Sequence, residues 1–104
     1  MANQNAKQGS LPVRWSPRAR VGYSNSLSYI AAQDRHAADL VTGRVASALA
    51  LIQIQPDIGT LVKRGLRRFP IPKTGHVIDY RVTKVEIRII RWARQTRMLP
   101  PARP

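Results

Sequence analysis

The chain contains no cysteine, which excludes disulfides and thiolate metal sites. Acids are scarce as well: five, against 18 Lys and Arg, over 104 residues. Carboxylates so few and so scattered suggest no acid/base pair. The two histidines, His36 and His76, lie far apart, and neither has metal-ligand spacing around it. There is no glycine-rich phosphate loop; Lys63-Arg64-Gly65 lacks every other part of a Walker motif. No apolar run approaches membrane-spanning length and no secretory leader opens the chain. Neither a membrane, a cofactor, a metal nor a small-molecule substrate is therefore expected, and a reducing cytoplasm is the expected compartment.

What is abundant is positive charge. The net charge is +13 and the pI near 11.8, yet the hydrophobic fraction of 43% is ordinary for a folded protein. This length suits one domain with one core, expected over 11–98 between a polar tail at 1–10 and a Pro-rich tail at 99–104. The charge is unevenly placed. From Lys63 onward twelve Lys and Arg face two acids, whereas up to Val62 six face three. Such concentration points to an anionic partner, either nucleic acid or an acidic protein.

The pattern predicts an α+β fold in the order β-αα-βββ, a helical hairpin packed on a small, mainly antiparallel sheet. Leu11–Trp15 reads as a short first strand. Ser16-Pro17 is a helix start, the serine capping free N–H groups and the proline supplying the right φ. Tyr23, Leu27, Ile30 and Ala31 then form one apolar stripe. Asp34 is placed to cap a second helix with Ala38, Val41, Val45, Ala48, Leu49 and Ile52 on one side, ending before Pro56. Pro56-Asp57-Ile58-Gly59 reads as a turn. Three short β-rich runs follow: Gly65–Phe69, His76–Val82 and Val85–Arg91. Ile78, Tyr80 and Val82 alternate with Asp79 and Arg81, and Val85, Ile87 and Ile89 with Glu86 and Arg88, so one face is expected to be buried and the other basic.

The basic cluster over this meander is the main site signal. Arg81 and Arg88 have acidic neighbours and suit surface ion pairs. Arg67, Arg68, Arg91, Arg94 and Arg97 have none nearby in sequence and, with Arg64, suit contact with phosphate or carboxylate, for which arginine's planar fork is shaped. The competing reading is a solvated basic face. Trp92 is either a stacking platform or contact residue, or the closing edge of the core. Tyr80 falls on the apolar side and His76 at the start of a strand, where a surface histidine is expected.

Taken in order, Trp15-Ser16-Pro17-Arg18-Ala19, Tyr29-Ile30-Ala31, Gln55-Pro56-Asp57-Ile58-Gly59, Gly65-Leu66-Arg67-Arg68-Phe69-Pro70, Val77-Ile78-Asp79-Tyr80-Arg81-Val82 and Arg88-Ile89-Ile90-Arg91-Trp92-Ala93-Arg94-Gln95 resemble the RelE/ParE superfamily of toxins from type II toxin–antitoxin systems. The likeness spans Val13 to Arg97 and is nearest to ParE-like members. It implies a cognate acidic antitoxin and one of two targets. ParE-like members poison DNA gyrase without chemistry of their own. RelE-like members cut mRNA on the ribosome, which here would engage Arg67 and Arg91. Arg91-Trp92 stands where ParE-like chains often carry His-Gly, leaving no acid/base on the last strand and lowering the nuclease reading. A third reading, from composition alone, is a basic nucleic-acid-binding module.

Overall fold

Ser16 makes the first corner of the fold, seen in a computed structural model that describes residues 10–95. The tail expected at 1–10 (Ser10 apart), that at 99–104, and Arg97 lie outside the described residues. The Ser16 hydroxyl accepts from the Ala19 amide at 3.1 Å and donates to the Ile90 carbonyl at 3.1 Å. One side chain thus caps α1 (Pro17–Gln33) and ties it to the last strand. Asp34 caps α2 (Arg35–Ile54) through the Ala37 amide at 3.2 Å, as its position predicts. Nothing but Asp34 separates the helices, so they fold back on each other as a hairpin.

The second helix buries Ala38, Val41, Val45, Ala48 and Ile52, the stripe expected from sequence. Contrary to the expectation that no segment is long and apolar enough for a bilayer, α2 meets that test by length and composition. Its buried stripe is the reason for the composition: α2 is the core helix of the hairpin. In α1 the inward residues are Ala19, Tyr23, Leu27 and Ile30, while Ala31 is exposed.

Five strands form one sheet in the order β1-β5-β4-β3-β2. They are β1 (Val13–Trp15), β2 (Thr60–Lys63), β3 (Leu66–Ile71), β4 (His76–Val82) and β5 (Ile87–Arg94). β1 pairs in parallel with β5 and the other pairings are antiparallel. The helices cover one face. β2 is a strand that the sequence pattern does not announce. It lies at the sheet edge with all four residues exposed, so it has no buried face to impose an alternation. A short 3₁₀ turn, Pro56–Ile58, joins it to the hairpin.

Strand β5 carries an irregularity that decides the site. Tyr80 pairs with Ile89, but Asp79 pairs with Arg91, leaving Ile90 as an extra residue. A bulge of this kind shifts which residues face which way. Ile87 and Ile89 point to the helices, and after the bulge Trp92 does, while Arg91 turns outward. Strict alternation would have placed Arg91 in the core. Val85 lies ahead of the strand and is exposed, contrary to the expected inward position.

Candidate functional site

Register assigns the sheet two faces of different chemistry. Toward the helices lie Trp15, Phe69, Ile71, Ile78, Tyr80, Ile87, Ile89 and Trp92. Trp15 stacks on Tyr23 at 5.0 Å, and Tyr23 meets Trp92 at 4.7 Å. Trp92 is 9% exposed and donates its indole N–H to Ser26 at 3.0 Å. It closes the core edge and does not stand with the basic cluster as a contact residue. His76 is a correction as well. It is buried and stacked on Trp92 at 4.7 Å, with its Nδ1 3.1 Å from the Thr74 carbonyl. Burial holds its pKa below the ordinary value, and Arg94 adds to that effect against the Thr74 bond. β4 is a central strand, and this explains why a residue at its start is covered.

Arg67 lies on the helix side too, opposite Tyr80. Its Nη1 donates to the Gly59 carbonyl at 2.7 Å and the Asp57 carbonyl at 3.0 Å. The Tyr80 hydroxyl donates to the Pro56 carbonyl at 2.7 Å and accepts from the Gly59 amide at 2.9 Å. Together they clamp the 3₁₀ turn against the sheet, so Arg67 is engaged with backbone rather than held out for a partner. Tyr80 is fully buried and its phenol pKa is raised by desolvation, which suits a structural hydroxyl.

The opposite face of the sheet is open and basic. Arg68, Asp79 and Arg91 align across β3, β4 and β5. Arg68 grips Asp79 with two bonds, Nε to Oδ1 at 2.7 Å and Nη2 to Oδ2 at 3.1 Å, and Arg91 approaches Oδ2 at 3.7 Å. The bond to Asp79 pushes the Arg68 pKa up still further. Both arginines thus acquire an acidic neighbour that sequence proximity hides, across strands and 11 residues from Arg68. In the next row Arg14, Arg88 and Arg81 align across β1, β5 and β4. Glu86 bonds Arg14 at 3.2 Å and Arg88 at 3.0 Å. Arg81 reaches the Arg64 carbonyl at 3.4 Å in the exposed β2–β3 turn, and does not pair with Asp79. A concavity of about 450 Å³ opens over this face, lined by Arg68, Arg91 and Arg94 with Thr60, Pro70 and Val77 among others.

Of the expected contact residues, the fold therefore gathers Arg68 and Arg91, leaves Arg94 at the edge of the concavity in register with His76, places Arg64 nearby on the rim turn, and sends Arg67 and Trp92 to the other side. Arg14, Arg88 and the organising Asp79 escape a reading by sequence neighbours. Their signal is the register of lone charges on alternating positions. Among the described residues no histidine or tyrosine lies on the open face. The face offers fixed cations able to bind an anion, and its two carboxylates are both held by arginine.

The solved structure of the chromosomal ParDE toxin–antitoxin system from P. aeruginosa contains a chain of the same fold, with a TM-score of 0.70 at 15% sequence identity, covering 84% of this chain and 98% of that one. No curated protein sequence matches. Residues 13–98 match the family described as ParE toxin of type II toxin–antitoxin system, parDE. That match runs from the first residue of β1 to beyond the end of β5, and includes both rows of the open face. A toxin of this kind implies an antitoxin as partner. This chain belongs to the ParE toxin family of type II toxin–antitoxin systems.

Proposed function

We propose that the chain arrests bacterial growth by acting on DNA gyrase, in the cytoplasm, and that a cognate acidic antitoxin neutralises it. The observation that carries the choice of target is the open face itself. It presents Arg68 and Arg91 to an anionic partner, with Arg94 at its edge, while His76 and Tyr80 are packed on the far side. Arginine stays protonated at neutral pH, so it stabilises charge but serves poorly in proton transfer. A binding toxin is therefore favoured over a nuclease. Arg64, Arg68, Arg91 and Arg94 are the contact residues in this reading. An acidic antitoxin segment would associate quickly with such a face by charge complementarity.

Brief induction of the chain in bacteria tests this. The expected outcome is growth arrest with a DNA-damage response, relieved when the small protein encoded beside it is co-expressed. Discrete, translation-dependent cuts in mRNA without DNA damage would replace the proposal with ribosome-dependent cleavage.

A further inference from the structure

Asp79 is 3% exposed although its face of the sheet is the one opposite the helices. What shelters it is guanidinium, from Arg68 on one side and Arg91 on the other. One carboxylate thereby fixes two arginines that repulsion would otherwise spread apart. Arg68 uses Nε and Nη2 on Asp79, so Nη1 remains for a ligand. At 3.7 Å Arg91 is too distant for a hydrogen bond to Asp79, and its donors remain available. Both forks border the concavity. The second row, with Arg14 and Arg88, lies two residues further along the strands, about 7 Å away.

We propose that this face binds the phosphodiester backbone of duplex DNA, with Arg68 and Arg91 as phosphate contacts and Asp79 as their positioning residue. Arginine forks match phosphate oxygens and fix register without reading sequence. All six aromatic residues lie within the described residues, and none stands on this face. Single-stranded nucleic acid is normally held by stacking on such side chains, so their absence here favours a duplex with its bases turned inward. An acidic peptide would match the charge as well, and Val62, 41% exposed, and Pro70 give it apolar lining at one end. The two rows of forks, however, extend across the sheet as a backbone with many phosphates does. The inference rests on the toxin reading only for the setting, the DNA held by gyrase, and its test uses no gyrase.

The test is fluorescence polarisation of the full chain with a short, mixed-sequence DNA duplex over a salt series. The logarithm of the affinity should fall linearly with the logarithm of salt, with a slope of about −0.9 per phosphate neutralised. The triple variant Arg68→Gln/Asp79→Asn/Arg91→Gln should make that slope shallower by about 2. Arg14→Gln/Arg88→Gln should do the same by a similar amount, and it leaves the Asp79 network intact should the triple variant fail to fold. Arg20→Gln/Arg35→Gln, on the exposed side of the helices, should leave the slope unchanged. Equal losses from helix and sheet variants would overturn the proposal. So would tighter binding of single-stranded RNA, or of a polyglutamate peptide, than of the duplex. Duplex binding with the expected slopes supports it whether or not gyrase is inhibited, so the two readings fail separately.

Discussion

The Tyr80 hydroxyl accepts the Gly59 amide proton at 2.9 Å, joining the central strand β4 to the turn that leads into β2. The same oxygen donates to Pro56, so one phenol satisfies two backbone groups of that turn. The approach is close. A Cβ on Gly59 would lie 2.8 Å from the Tyr80 oxygen, 2.9 Å from its Cε1 and 3.1 Å from the Arg67 Cβ. Backbone conformation does not demand glycine there, since φ is −71°; the space does.

Two substitutions follow from this geometry. Tyr80→Phe should leave the Gly59 amide and the Pro56 carbonyl without their partner and cost about 1–3 kcal/mol. Gly59→Ala should cost a similar amount, about 1–3 kcal/mol, through overpacking. Urea unfolding with a common m-value measures both. A stability equal to that of the parent chain in either variant would contradict the clamp.

Trp92 is placed in the core, so Trp92→Ala should lower stability by about 3–5 kcal/mol. Trp92→Phe, which keeps most of the packing and loses the bond to Ser26, should cost less. Thermal melts of both variants check the order. A target-contact role without a packing role predicts melts like that of the parent.

Stability should fall as the solution is acidified, with His76 contributing. Burial keeps its folded-state pKa below 6.5, so the unfolded chain takes up a proton first as pH falls. The contribution is complete above about pH 6.5, is lost progressively below it, and levels off once pH passes the folded-state pKa. The surrounding groups are the Trp92 ring, the Thr74 carbonyl and the Arg94 cation. Denaturation midpoints measured between about pH 5 and 8 should rise with pH in the parent, and less steeply in His76→Gln.

The helices were legible because their signals are local. Ser16 and Asp34 cap within three residues, and the α2 stripe repeats with the helical period. The alternation of β4 was likewise visible in Ile78 and Tyr80. The site was less legible because it depends on what lies across the sheet. The pairing of Arg68 with Asp79 is set by strand register, and the outward turn of Arg91 by the single extra residue at Ile90. Arg67 reads as a site arginine until the carbonyls of Asp57 and Gly59 are brought to it by the turn. β2 escaped for a simpler reason: an exposed edge strand has no core-facing pattern.

The Arg68–Asp79–Arg91 row makes a stability claim too. Asp79→Ala removes the carboxylate that both arginines share, and because the guanidinium groups are about half exposed the loss should be moderate, about 1–2 kcal/mol. A variant that melts with the parent would show that solvent alone holds the two arginines in place.

Gyrase is the proposed target, and the most direct measurement is supercoiling by purified gyrase with the purified chain added. Relaxed plasmid, ATP and gyrase should give less supercoiled product as the chain is titrated in, with the Arg68→Gln/Asp79→Asn/Arg91→Gln variant less effective at equal concentration. Undiminished supercoiling by a folded chain that still arrests growth when expressed would contradict gyrase as the target.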